Sequence, residues 1–411
     1  MKKVLIILSL LSAFQASAES IGLKDLTEKV KTGNYVILEK AERVYQAKKS
    51  IDEARGRLLP TLNLWKIASI VVDPTSLLDS VNDIAPFLVP SNWFILKERS
   101  ILFLAEKEAY RALWANELQS ARATYLKVLM DQTLLRLLSS YEGDLAELQL
   151  IVQSRFQLGL ERQEIVRDIE IRYLSIQEDK QNVELLVREE KRLLTYMMGL
   201  EAEKDVDLVG VDLPNVPSAE KPDYDKLVGR MLTVSPETKQ NGHLQRVIPW
   251  IKREQAWSFL GGSALSRGVA GGVFDHLPSP DGLGFATAPG LKIINSEARI
   301  LEIQKRGITE TLKRQLKASI DLISAAIDIS PLQSKKVNLS EENIEQLKDR
   351  LRIGEKINLV EMANYIQTKN LAKASWLETQ YRFMFNRDRL NRLLFWEDYD
   401  LLPGAVEGAK K

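Results

Sequence analysis

The sequence predicts a mainly α-helical chain, a tandem repeat of long coiled-coil helical hairpins with a short non-helical insert in each repeat. Three observations predict it. The segments Arg155-Phe156-Gln157-Leu158-Gly159-Leu160 and Arg350-Leu351-Arg352-Ile353-Gly354-Glu355 stand 195 positions apart and read alike. Each joins two long stretches whose apolar residues step by three and four, the period of a helix face. The stretch from Lys97 to Leu158 holds no proline and one glycine, Gly143. Two such hairpins, each bent back at a glycine, are suited to reach and assembly rather than to an enclosed catalytic pocket.

Residues 1–18 have the layout of a secretory signal peptide. Met1-Lys2-Lys3 supplies the basic start, Val4 to Phe14 the apolar core and Ala16-Ser17-Ala18 the cleavage site. The competing reading, an uncleaved membrane anchor, needs a longer apolar run. No later segment reaches the ~18 uninterrupted apolar residues of a transmembrane helix.

The first repeat, 19–199, starts a helix at Gly33-Asn34-Tyr35. It runs through Ala41, Val44, Ala47, Ile51, Ala54 and Leu58 to Leu59-Pro60. An insert at 60–96 follows, with Pro74 to Ala85, centred on Thr75 to Val81, reading as a short helix. Next comes a rod whose Leu118, Ala121, Tyr125, Val128 and Leu135 make a narrow seam. After a tip near 159 the chain returns through Ile169, Tyr173, Ile176, Val183, Val187, Leu194 and Met197. At 1.5 Å per residue, ~60 residues make a rod roughly 90 Å long.

Residues 200–222 carry three prolines and no apolar period, so they read as a linker. The second repeat, 223–399, opens at Val234-Ser235-Pro236 with a helix through Leu244, Val247, Ile251 and Trp257 to Leu260-Gly261. Asn34 to Pro60 and Ser235 to Gly261 are the same distance apart, which supports a duplication. An insert at 260–291, a second rod and a tip near 354 follow. Pro331 interrupts the second rod, so a kink or short break is expected near Ser330. Residues 400–411 read as a frayed tail.

Composition narrows the function. There is no cysteine, which removes thiol catalysis, thiolate metal sites and a lipid-bearing cysteine. His243 and His276 are the only histidines, too few for a His-based metal cluster, and a Ser-His-Asp arrangement is disfavoured. With 57 basic against 56 acidic residues the chain offers no polyanion-binding charge, so nucleic acid is not an expected partner. No cofactor and no enzyme activity are expected.

Taken together, these pieces resemble the TolC-like outer-membrane efflux proteins over nearly the whole mature chain. The resemblance rests on the order and spacing of several segments. These are Ala54-Arg55 with Leu59-Pro60-Thr61-Leu62-Asn63-Leu64, the doubled tips, Met198-Gly199-Leu200 and Ser235-Pro236-Glu237. It implies a homotrimer in which each chain gives four strands, as short β inserts, to a shared barrel in the outer membrane. It also implies long helices forming a periplasmic conduit. The helical tips would dock a periplasmic adaptor, and through it an inner-membrane transporter, in tripartite efflux or type I secretion. The inserts depart from the pattern: Ile67 to Val72 is an apolar run, not an alternation, and 261–290 is rich in glycine and proline. The alternative is therefore a periplasmic TolC-like structural or adaptor-binding protein without an inserted barrel.

The candidate docking residues are Phe156, Leu158, Gly159 and Leu160 at the first tip and Leu351, Ile353 and Gly354 at the second. Exposed apolar side chains on a rigid tip mark a contact surface; the competing reading folds them back to staple the turn. The family's lumenal carboxylates match poorly: Val360 stands where one is expected. Glu361, one step on, is the candidate lumen gate, with Asp168 its nearest counterpart in the first repeat and solvated surface charge the competing reading for both.

Overall fold

A computed structural model describes residues 19–59, 86–201, 206–257, 287–353 and 357–400, together with Lys204, Phe274 and Glu355. The signal peptide, most of both inserts, the Thr75–Val81 segment, Gly354 and the tail beyond residue 400 lie outside the described residues.

Four helices occur twice, in the same order and with nearly the same lengths. In the first half α1 (Leu23–Gly33) has 11 residues, α2 (Tyr35–Gly56) 22, α3 (Pro90–Gln157) 68 and α4 (Gln163–Met197) 35. In the second, α5 (Tyr224–Val234) has 11, α6 (Pro236–Trp257) 22, α7 (Thr287–Arg352) 66 and α8 (Leu359–Leu394) 36. Pro90 and Pro236 occupy the first helical position, where a missing N–H costs nothing and the fixed φ suits the helix.

Packing gathers these elements into two compact units, each drawing on both halves. The first holds the residues up to Asn34, Glu117–Asp223 and Ala318–Leu390; the second holds Tyr35–Asn116, Tyr224–Lys317 and the residues from Asn391 on.

In the first unit most of the seam residues are core, while Leu135, Tyr173, Val183 and Met197 are half-buried. Leu118, Ala121, Tyr125 and Val128 of α3 are fully buried, as are Ile169 and Leu194 of α4. Leu145, Leu148 and Val152 of α3 join Ile169 of α4, Ile344 of α7, and Leu359, Met362 and Ile366 of α8 in one cluster. Both hairpins thus share a core. Polar links bridge them: Lys369 pairs with Asp144, Arg122 pairs with Asp388 at 2.8 Å, and Arg172 Nη1 donates to Gln367 Oε1 at 3.1 Å. Arg172 and Gln367 are 195 positions apart, the offset of the two tips, so the return helices meet at matching positions.

The linker is not structureless. Val206–Leu208 forms β2, which pairs in parallel with β1 (Glu19–Ile21), Ile21 opposite Leu208. Tyr125 clamps the pair, its hydroxyl 2.6 Å from the Val209 carbonyl and 3.0 Å from that of Ile21. Burial, helped by the nearby Asp25 charge, pushes this phenol up to about 12, so it stays a donor throughout the physiological range.

The base of the first hairpin is a close crossing. α4 ends in a left-handed Gly199, φ +66°, with Leu200 N–H on the Thr195 carbonyl at 3.0 Å. A Cβ on Gly33 would come 2.0 Å from the Met198 carbonyl oxygen, and one on Gly199 would come 2.0 Å from that of Gly33. Buried Asn34 completes the crossing by donating to the Met197 carbonyl (3.1 Å) and to Glu117 Oε2 (3.2 Å).

The second unit contains the matching end of α8, built from different residues. Phe395 adopts φ +48° in the place of Gly199, and Trp396 N–H reaches the Asn391 carbonyl at 2.9 Å. The ring is buried beneath the Arg111 guanidinium, 5.4 Å from its centroid. Buried Arg392 bonds Glu237 and Asn116. Burial pushes the Glu237 carboxyl up, but the Arg392 charge, a backbone hydrogen bond and the hydrogen bonds from Arg392 and Ser235 together outweigh it and hold the carboxyl below its ordinary value. Leu102 of α3, Val247, Ile248 and Ile251 of α6 and Ile294 and Leu301 of α7 form this unit's core. Lys40 of α2 pairs with Glu106 of α3 at 2.7 Å.

The break expected near Ser330 does not occur: α7 runs without interruption through Pro331. Proline removes one helical hydrogen bond, and tertiary contacts hold the helix there. Ser330 is buried, and its hydroxyl donates to the Gln380 amide oxygen at 3.0 Å. That oxygen also accepts from Trp376 Nε1 (3.2 Å), while the amide nitrogen donates to the Pro214 carbonyl (3.0 Å).

Candidate functional site

The first tip follows from backbone hydrogen bonding. α3 ends at Gln157, and Gly159 takes φ +73°, with nothing within 4 Å of where a Cβ would sit. Gly159 N–H bonds the Phe156 carbonyl and Leu160 N–H the Arg155 carbonyl, both at 2.9 Å. This is a Schellman cap, which commonly adds an apolar contact between Leu160 and the residue at Arg155 or Ser154. Those partners are polar here, so Leu160 has no apolar neighbour to fold onto at these positions. Leu158 is 73% exposed, Leu160 62% and Phe156 42%. The side chains exposed at this turn are the ones the docking reading names.

The second tip shares one of these backbone bonds and carries a different lock. Glu355 N–H bonds the Arg350 carbonyl at 3.0 Å, the counterpart of Leu160 on Arg155. At these positions the side chains are a bidentate ion pair: Arg350 Nε and Nη2 reach Glu355 at 2.8 and 2.5 Å. The hydrogen bonds from Arg350 lower the Glu355 carboxyl below its ordinary range. Arg352 pairs with Asp349 at 3.1 Å, Ile353 is 80% exposed and Leu351 is half-buried. The first tip is therefore an apolar knob, and the second a single isoleucine set among ion pairs.

Glu361 is exposed in the first turn of α8, where its charge suits the helix N-terminus and acts on Arg350. Asn358 caps that turn, its Oδ1 accepting from Val360 N–H at 3.1 Å and Glu361 N–H at 3.4 Å. Asp168 accepts from Arg172 Nε at 3.0 Å within its own helix. Glu361 and Asp168 are thus not drawn into one cluster by any contact between them.

Sequence reasoning missed a second apolar face. Ile171, Leu174, Leu185, Leu186, Leu193 and Tyr196 of α4 are all exposed. At about 100° per residue they fall within about 120° of one another around the helix. α7 carries a similar exposed series at Ile329, Leu332 and Leu339. The signal was present as apolar residues lying off the buried Ile169–Ile176–Val187–Leu194 row. Among the described residues no group of three or more His, Asp or Glu side chains is placed to hold a metal ion, and no helix is long and apolar enough to cross a membrane.

A chain that repeats a helical-hairpin scaffold, with exposed apolar residues at its tips and along α4 and α7, falls in the class of tandem-duplicated helical-hairpin folds. By sequence it matches no protein-family model and no curated protein. Its structure has the TolC-like outer-membrane channel fold. It is similar to the outer-membrane channel OprN with a TM-score of 0.72 and 12% identity, over 92% of this chain and 90% of that one. The CmeC outer membrane channel of Campylobacter jejuni gives 0.72 and 11%, over 90% and 85%. The outer membrane protein VceC of Vibrio cholerae gives 0.68 and 10%, over 90% and 95%.

Proposed function

We propose that the chain forms an outer-membrane channel with a periplasmic extension, working as a homotrimer. It is a passive export conduit in a tripartite efflux or type I secretion system. The likeness in fold to outer-membrane channels, over nine tenths of the chain, carries this reading.

The exposed apolar stripes of α4 and α7 support assembly. Water-exposed apolar rows on long helices are stabilised when a neighbouring helix covers them, at about 25 cal/mol per Å² of apolar surface removed from water. In this reading the covering helices belong to sister chains. The outward Leu158, Leu160 and Ile353 support docking of a periplasmic adaptor, and through it an inner-membrane transporter. Solute passes through a water-filled lumen without a chemical step, and Glu361 is the candidate carboxylate of that lumen.

The mature chain, reconstituted in planar bilayers, is expected to give stable conductance steps and to resist carbonate extraction from outer membranes. A chain that carbonate releases and that conducts nothing would leave the periplasmic, barrel-free reading. Unchanged conductance in Glu361→Ala would remove that residue from the lumen.

A further inference from the structure

In the first hairpin two carboxylates occupy seam positions that a coiled coil normally fills with apolar residues. Asp131 of α3 follows Val128 by three, and Glu190 of α4 lies between Val187 and Leu194 at the same helical spacing. Both are nine-tenths buried or more, with 4% and 6% of their surface exposed. Asp131 Oδ2 has no donor among the described residues. The charged groups acting on Asp131 are Glu190, across the seam on α4, and Lys127, one turn back on its own helix. Lys127 is half-exposed, with its Nζ 2.6 Å from Glu190 Oε1. The adjoining Lys191 turns toward Asp207 of β2 at 3.8 Å.

We propose that Asp131 and Glu190 form a proton-operated clasp. One proton shared between the two carboxyls ties α3 to α4 in mildly acidic surroundings, and its loss loosens the first hairpin at neutral pH. With the proton bound, Asp131 donates to Glu190, which keeps its ion pair with Lys127, so every buried group has a partner. The proton comes from solvent and returns to it. Once it leaves, two anions face each other in the seam with one half-exposed ammonium, held against Glu190, to offset them.

Burial first, then the Glu190 charge and hydrogen bond, push the Asp131 carboxyl from 3.8 up to about 6, against the opposing effect of Lys127. The folded chain therefore binds this proton about 10²-fold more tightly than the unfolded one. The sign follows: the added stability is complete below pH 3.8 and is lost as the pH rises through about 6. The clasp stands apart from the channel reading, because it concerns one seam of one chain.

The test uses the full mature chain in mild detergent between pH 4.5 and 8. Wild type is expected to lose thermal midpoint and amide protection around residues 127–131 and 187–191 as the pH rises through about 6. Asp131→Asn, whose amide donates to Glu190 without titrating, is expected to flatten that step and to exceed wild type at neutral pH. Lys127→Met removes the opposing charge and moves the step to higher pH. A wild-type step retained in Asp131→Asn overturns the clasp. So does an Asp131 carboxyl that titrates near its ordinary value in wild type, a measurement that stands even if the variants fold poorly.

Discussion

Gly199→Ala is expected to cost about 2–5 kcal/mol, the largest loss expected from a methyl group added to any of the described glycines. Two penalties combine. The left-handed backbone at φ +66° costs a side chain about 1–2 kcal/mol. The new Cβ would sit 2.0 Å from the Gly33 carbonyl oxygen, and overpacking against backbone adds about 1–3 kcal/mol. Gly33→Ala meets only the second penalty, with its Cβ 2.0 Å from the Met198 oxygen, and is expected to cost about 1–3 kcal/mol. The same change at Gly143 or Gly307 should act in the opposite direction. Both lie inside helices with nothing within 4 Å of an added Cβ, so alanine should stabilise by about 0.5–1 kcal/mol. Thermal or denaturant unfolding of the four variants decides the matter. If Gly33→Ala and Gly199→Ala prove as harmless as Gly143→Ala, the close crossing at the base of the first hairpin is wrong.

The second large effect is on function and leaves the fold alone. Leu158→Asp with Leu160→Asp and Ile353→Asp is expected to lower adaptor cross-linking and export at least 10²-fold. A buried apolar anchor in an interface commonly contributes 2 kcal/mol or more, and a carboxylate there adds a desolvation cost. Surface changes remote from the core usually move stability by less than about 0.5 kcal/mol, so the unfolding midpoint should barely shift. The first tip should carry more of the loss, since three apolar side chains project there against one at the second. At the second tip, Arg350→Ala should loosen the turn through loss of the Glu355 pair. Undiminished export in the triple variant would remove the tips as docking points.

The rods and the first tip were legible because helices write their burial into the local sequence. Leu118, Ala121, Tyr125 and Val128 step by three and four, and each is fully buried. Gly159 was legible for the same kind of reason: a left-handed helix cap favours glycine wherever it occurs. Features that depend on distant partners were not legible. β1 and β2 are three residues each, too short to alternate, and Tyr125 joins them from 84 positions away through Val209. The helix survives Pro331 because Ser330, Gln380, Trp376 and Pro214 come together in space. Met198-Gly199-Leu200 recurs structurally as Leu394-Phe395-Trp396, yet phenylalanine hides the cap that glycine announces.

The contacts between Gly33 and Gly199 leave no periodic trace either, since each glycine looks like an ordinary turn residue until the backbones meet. The outer stripes of α4 and α7 were overlooked, the first because a single buried seam already accounted for α4 and the second because no seam was traced along α7. They are the part of the surface that a lone chain leaves unsatisfied.

The most direct measurement of the central claim is the mass of the mature chain in mild detergent, taken together with its flotation. A particle of three chains that floats with outer membranes is the expected result, with the α4 and α7 stripes covered by sister copies. A well-behaved single chain that stays monomeric at low concentration and sediments free of membrane would contradict it.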